Sequence, residues 1–320
     1  MNVSRAIVSV AILAIAGVLT VPQAFVAKVP QAPQIETDGQ MVILHVRVTD
    51  SMGKAVADVK RDSFVVTEDG VPQKIALFLN EEIPLSYGLV IDSSGSLRSQ
   101  FPDVIRAAQR IVESNRPTDT TFLVRFISSD KIETAEEPTS DKAQLIKTLH
   151  EFYIEGGASA VVDAVYLSAD KLAKQKDGPD TLRRRVLVLV TDGEDRASFY
   201  KAETLFKLLA ATDVQIFTIG LTKEVKPESR DKAIKLLTRL GADTGGRTFF
   251  PSSSGEIEHI SKEIINDIRT QYVVGYVPAG INAVKDFHKV QVSITDNPNQ
   301  DKRIAITRVG YGKPKGEKSR

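Results

Sequence analysis

From Leu85 to Thr270 the chain alternates short apolar runs with segments whose apolar residues recur every three to four positions. The runs Gly88–Ile91, Phe122–Phe126, Val186–Val190 and Val214–Ile219 are nearly continuous, as in strands covered on both faces. Between them lie the helical segments Pro102–Asn115, Lys142–Glu151, Ala160–Lys174 and Phe199–Ala211. Val104, Ala108, Ile111 and Val112 show the helical repeat, as do Ile257, Ile260, Ile264 and Ile268 in a last helix. Gly241–Gly246 reads as the end of a helix before a strand. Such alternation predicts an α/β fold over residues 85–270, a doubly wound, mostly parallel sheet with helices on both faces.

The flanks follow a different grammar. Residues 28–40 are rich in Pro and Gln and read as a linker. Over 41–82, Val42, Leu44, Val46 and Val48 alternate with His45, Arg47 and Thr49, the pattern of a half-buried strand. Phe64–Val66 and Ile75–Phe78 flank Glu68-Asp69-Gly70, and Asp-Gly favours a tight hairpin. Over 271–312 the strand pattern returns at Tyr272–Val277, at Val290, Val292 and Ile294, and at Ile304 and Ile306, with a turn at Asp296–Gln300. About four strands before the α/β unit and three after it suit one small all-β, sandwich-like module, built from both ends of the chain, into which the α/β unit is inserted.

Lys and Arg number 42 and Asp and Glu 41 in 320 residues, so no charge excess points to nucleic acid. The absence of cysteine removes disulfides, thiolate metal sites and thiol nucleophiles. At the N-terminus, Arg5 precedes the uncharged apolar run Ala6–Val21, the charged and apolar regions of an export signal. Residues 1–27 therefore read as a signal peptide or a membrane anchor, since neither Ala24 nor Ala27 has a small residue two places before it. Both alternatives place the rest of the chain outside the cytosol, in the periplasm, the cell envelope or the secreted fraction. Residues 313–320 form a basic tail.

Three segments carry chemistry. The first apolar strand ends in Asp92-Ser93-Ser94-Gly95-Ser96, an Asp-x-Ser-x-Ser motif. The strand Val186–Val190 ends in Thr191-Asp192-Gly193-Glu194-Asp195. Between them, Gly156-Gly157-Ala158-Ser159 leads a hydroxyl into the helix that carries Asp163. Open α/β sheets bind ligands at the carboxyl ends of their strands. The donors gathered there, two carboxylates and three hydroxyls, are hard oxygens that suit one Mg²⁺ or Mn²⁺ rather than zinc.

This trio resembles the metal-ion-dependent adhesion site of von Willebrand factor type A domains. The resemblance implies that Ser94, Ser96 and Ser159 coordinate the ion directly. It also implies that Asp92 and Asp192 act through water or hydrogen bonds, and that the sheet has six strands whose order reverses between the strands ending at these two residues. Ser159 stands where the family usually has Thr. Val46–Asp50, Asp62–Ile75 and Gln271–Tyr276 around the unit resemble the exported family related to these domains that was first described in acidobacteria.

The resemblance implies an exported adhesion or assembly module, not an enzyme, that binds the Asp or Glu carboxylate of a partner protein. A membrane would be met only through the N-terminal anchor. Two other readings stand beside it: a Mg²⁺-dependent phosphotransfer or hydrolytic enzyme, and a structural envelope protein with a vestigial metal crest. A haloacid-dehalogenase-type phosphatase needs an Asp where Ser94 stands; a receiver-like domain needs an acidic pair at Asp92, although Lys223 is suitably placed. His45, His150, His259 and His288 show no ligand spacing and are expected on exposed strand or helix positions. Arg183-Arg184-Arg185 is expected to be solvated at the start of its strand, and Asp92 and Asp192 to sit on loops outside the core.

Overall fold

The computed structural model describes residues 41–175, 182–279, 285–295 and 302–312. The export signal or anchor, the linker, the Asp296–Gln300 turn and the basic tail lie outside the described residues. The N-terminal flank supplies β1 (Val42–Thr49), β2 (Phe64–Glu68), β3 (Val71–Gln73) and β4 (Ile75–Leu79). The central unit follows as β5 (Leu85–Asp92), α1 (Phe101–Glu113), β6 (Thr120–Phe126), β7 (Ile132–Thr139), α2 (Lys142–His150) and α3 (Val161–Lys174). It continues through β8 (Arg184–Thr191), α4 (Ala202–Ala210), β9 (Gln215–Gly220), α5 (Pro227–Thr244), β10 (Arg247–Phe249) and α6 (Ser254–Arg269). The C-terminal flank adds β11 (Tyr272–Tyr276), β12 (Phe287–Ile294), β13 (Ile304–Ile306) and β14 (Gly310–Gly312).

The central sheet has six strands in the order β10-β9-β8-β5-β6-β7. Every neighbouring pair is parallel except β6 with β7. Successive side chains of a strand point to opposite faces, so each continuous apolar run feeds two cores. Leu89 and Ile91 pack with Val104, Ile111, Leu145, Ile257 and Ile264, under α1, α2 and α6. Val90 packs with Val161, Val165, Leu205 and Leu237, under α3, α4 and α5. The doubly wound α/β architecture is thus present, with helices on both faces. β7 and β10 complete the sheet at its two edges.

The flanking strands form two four-stranded sheets, ordered β13-β1-β11-β4 and β14-β12-β2-β3. Each sheet draws strands from both ends of the chain. Their facing sides share one core of Leu44, Val46, Val48, Phe64, Val66, Tyr272, Val274, Tyr276, Val290 and Ile294. Asp69-Gly70 makes the tight turn as expected, with φ of 50° and 85°. It joins β2 to β3, with Glu68 opposite Val71; Ile75–Leu79 pairs with β11 in the other sheet. Gly245 ends α5 at a φ of 77°, where an added Cβ would lie 2.5 Å from the Arg308 nitrogen. Here the flank and the central unit approach backbone to backbone.

Three expectations about polar residues change. The second face of β1 is not solvated: His45, Arg47 and Thr49 are all buried. Arg47 pairs with Asp267 of α6 at 3.3 Å, and Asp267 also receives Arg247 at 3.2 Å. Arg184 is fully buried rather than solvated. Its guanidinium donates to the carbonyls of Ile268 and Gln271 and to His45 Nδ1, the last two at 3.2 and 3.3 Å. Burial pushes the Arg184 guanidinium down to about 10 and, with the Arg184 charge next, holds His45 well below the usual imidazole range. His45 and His288 are therefore buried, whereas His150 and His259 are exposed as expected.

These contacts lie at the amino ends of β8 and β10, so the flanking sheets dock beneath the central sheet and leave its opposite edge clear. Among the described residues no helix is long and apolar enough to cross a membrane. Replacing Arg184 strips charge-assisted donors from two buried carbonyls. Arg184→Ala is expected to lower unfolding stability in urea by about 3 kcal/mol or more. A loss below about 1 kcal/mol, the size of an ordinary surface change, would contradict this role.

Candidate metal centre

β5 and β8 lie side by side, from Leu85 opposite Arg184 to Ile91 opposite Val190. After β5 the chain leaves for the face under α1; the helix after β8, α4, covers the other face. The strand order therefore reverses between these two strands, and a crevice opens at their carboxyl ends.

Asp92 is the last residue of β5 and is fully buried, inside the sheet rather than on a loop. Its Oδ1 accepts the Ser94 N–H at 2.9 Å, which turns the chain sharply. Its Oδ2 accepts the Thr191 hydroxyl at 2.7 Å. Thr191 Oγ1 in turn accepts the Gly193 N–H at 3.0 Å, so its one proton is committed to Asp92. Leu97, fully buried, anchors the short 3-10 turn that follows. Within that turn the hydroxyls of Ser94 and Ser96 stand 3.0 Å apart.

Asp192 follows β8 and is also buried, again not on an exposed loop. Its Oδ1 accepts the Glu194 N–H at 2.9 Å, while its Oδ2 is buried with no hydrogen-bond partner. Gly193 takes a φ of 80°, and an added Cβ would meet Leu237 Cδ1 at 2.8 Å. The turn thus needs glycine twice over, for its dihedral and for its packing. Burial first, and the Asp192 charge next, push the Asp92 carboxyl up to about 6. The two carboxylates therefore feel one another across the crevice.

Ser159 lies just before α3 and is buried. Its carbonyl accepts the N–H groups of Arg196 and Ala197 at 2.8 and 3.2 Å, tying the glycine-rich loop to the loop after Asp192. The same two loops are joined again by Asp163 and Asp195. Asp163, in the first turn of α3, accepts the N–H groups of Phe199 and Tyr200 at 2.7 and 2.8 Å and the Ser129 hydroxyl at 2.5 Å. Asp195 Oδ1 accepts the Val162 N–H at 3.2 Å and so caps that helix from outside. Direct contacts join Asp92, Ser94, Ser96 and Thr191. Asp192 is coupled to Asp92 through charge, while Ser159 is tied by its carbonyl to Arg196 and Ala197 in the loop after Asp192.

Thr191, Asp163 and Asp195 carry roles that motif reading left unassigned. Thr191 and Asp195 bracket Asp192 within one five-residue segment, and Asp163 lies four residues after Ser159. The donor set fits a hard divalent cation. Two buried carboxylates side by side, one with an oxygen that binds nothing in the protein, are compensated by positive charge more readily than by packing. The hydroxyls of Ser94 and Ser96 add neutral oxygens of the kind Mg²⁺ and Mn²⁺ accept.

Without metal, Asp92 makes a signed contribution to stability. Its folded value near 6 exceeds the ordinary 3.8, so the contribution is fully present below about pH 4 and is lost as pH rises through 6. In chelator, Asp92→Asn is expected to gain about 3 kcal/mol on the wild type between pH 4 and pH 7, by urea unfolding at each pH. A difference that stays flat across that window would contradict the burial of this charge.

Comparison with known proteins places the arrangement. A family model for the von Willebrand factor type A domain matches residues 88–263. An aerotolerance-related membrane protein from Bacteroides fragilis is similar in structure over 57% of this chain and 98% of its own, with 18% identity and a TM-score of 0.44. A von Willebrand factor type A protein from Catenulispora acidiphila is similar over 86% of this chain and 75% of its own, with 11% identity and a TM-score of 0.46. Proximal thread matrix protein 1 from the mussel byssus, solved with its MIDAS motif occupied by zinc, is similar over 59% of this chain and 48% of its own. Its identity is 15% and its TM-score 0.48. No curated protein matches the chain by sequence. With the model spanning more than half of its residues, the chain belongs to the von Willebrand factor type A domain family.

Proposed function

We propose that this protein is an exported, metal-ion-dependent protein-binding module that holds one Mg²⁺ or Mn²⁺ at the crest of its central sheet and grips a partner through an Asp or Glu carboxylate. Domains of this family are generally adhesion or interaction modules. The observation that carries the reading is the pair of buried carboxylates, Asp92 and Asp192, close enough for the Asp192 charge to raise the Asp92 carboxyl, with Asp192 Oδ2 buried and unpartnered. In this reading Ser94, Ser96 and Ser159 hold the ion directly, and Asp92 and Asp192 balance its charge from behind. An ion held mainly by neutral hydroxyls keeps an acidic open position, for which a carboxylate is the fitting donor.

The chain's own residues prepare that encounter. Asp92 is fixed by Ser94 and Thr191, so the charge behind the ion needs no rearrangement on binding. Phe199 is 82% exposed, although its loop is pinned at Ser159 and at Asp163. A pinned backbone that presents an aromatic ring to solvent, on the segment that follows Asp192, suits a protein partner because little ordering remains to be done.

An enzymatic reading fits these residues less well. Asp92 is fully buried, with both oxygens engaged, and cannot reach a substrate as a nucleophile. Lys223, which a receiver-like site would aim at the crest, donates instead to the Ser252 carbonyl at 3.2 Å.

The test uses the full chain as bait against an envelope extract. A partner is expected to bind in Mg²⁺ or Mn²⁺, to be released by chelator, and to be lost with Asp92→Ala or Asp192→Ala. Phe199→Ala is expected to weaken it by about tenfold or more, the loss typical of a buried aromatic anchor. Binding that survives chelator and both Asp substitutions at full strength would leave only a structural role for the crest.

A further inference from the structure

We infer that Glu68, Asp69 and His288 form a second metal site, selective for Zn²⁺, in the flanking β-sheets and separate from the crest. Glu68 ends β2, Asp69 opens the tight turn, and His288 lies on β12, which pairs with β2. One nitrogen or oxygen from each lies within 4.8 Å of the other two.

The ring nitrogen stands at ligand spacing from both carboxylates. His288 Nδ1 stands 3.0 Å from Asp69 Oδ2 and 3.4 Å from Glu68 Oε1. Ligands at about 2.0–2.2 Å from one tetrahedral Zn²⁺ lie about 3.3–3.6 Å from one another, within a few tenths of an ångström of both distances. The ring nitrogen carries at most one proton, and the Asp69 contact takes it. Glu68 is 7% exposed, and its Oε1 lies 3.4 Å from His288 Nδ1. Two carboxylates brought within 4.8 Å of each other and of one ring nitrogen are relieved by a cation between them.

The three ligands are also held from behind, as metal ligands are. Glu68 Oε2 accepts the hydroxyls of Tyr276 and Tyr311 at 2.7 and 3.0 Å. Asp69 Oδ1 accepts the Lys289 N–H at 3.1 Å. The His288 ring stacks on Tyr311 with centroids 5.3 Å apart. Asp69 is exposed, so water can reach a fourth position. Lys285 Nζ lies 3.1 Å from Asp69 Oδ2 on a half-exposed side chain, and is the cation that a metal displaces. One imidazole with two carboxylates is a borderline donor set that takes Zn²⁺, whereas the all-oxygen crest takes Mg²⁺. The site would join β2, β12 and β14 to Tyr276 of the facing sheet.

The experiment titrates Zn²⁺ into the chelator-stripped full chain by calorimetry, with Mg²⁺ in excess to occupy the crest. One Zn²⁺ per chain is expected, and it is expected to persist in Asp192→Ala. His288→Gln and Asp69→Asn should each weaken it about a hundredfold or abolish it, while Tyr311→Phe should cost about tenfold. Lys285→Gln should strengthen it. Asp69→Asn lies on the exposed turn and guards against a His288 variant that does not fold. Zn²⁺ should also shift the ¹⁵N resonance of His288 Nδ1. No Zn²⁺ bound, or binding unchanged in both His288→Gln and Asp69→Asn, would overturn the assignment.

Discussion

Two carboxylates buried side by side set the terms for this molecule. Asp92 closes β5 and Asp192 follows β8, and both side chains are buried where those paired strands end. Burying one carboxylate is costly, and burying a second beside it raises the cost for both. The surrounding chain meets part of that cost with oriented dipoles: Ser94 N–H and Thr191 O–H for Asp92, Glu194 N–H for Asp192. The remainder is open to a cation. In the proposed reading, the crest is a place where the fold gives up stability for a binding task.

The opposite end of the sheet solves a different problem with the opposite charge. Arg184 is buried among carbonyls, and Arg47 and Arg247 converge on Asp267, which fastens the flanking sheets beneath the central unit. Gly245 permits that approach because a side chain there would collide with the Arg308 backbone. Placing the fastening at the amino ends of the strands leaves the carboxyl ends free for a partner. The direction of the parallel strands sets which end carries the fastening and which the crest.

Much of this architecture was legible before any coordinates. Continuous apolar runs buried on both faces left little choice but a doubly wound sheet, and the motifs ending in Asp92 and Asp192 fell at the ends of such runs. β7 escaped because Ile132–Thr139 is an edge strand, mostly exposed and acidic, with no apolar run to show. β10, only three residues long, was signalled by the glycine-ended helix before it rather than by an apolar run of its own. The polar face of β1 read as solvated, since nothing local says that Arg184 and Asp267, far along the chain, will come to meet His45 and Arg47. His288 is instructive: it sits two residues before Val290, on the inward-facing alternation that continues to Ile294. Extending that pattern by one step would have placed it inside. The middle loop remains the least readable, because a glycine-rich turn carries no periodicity to fix the register of Ser159.

The account rests on an ion at the crest, and direct metal binding tests it most simply. Mn²⁺ titrated into the chelator-stripped full chain, followed by electron paramagnetic resonance of the free ion, should show one ion bound per chain. Mg²⁺ should compete for it, and Asp192→Ala should release it while Asp69→Asn does not. No bound Mn²⁺, or binding untouched by Asp192→Ala, would contradict the reading that these two buried carboxylates exist to hold a metal.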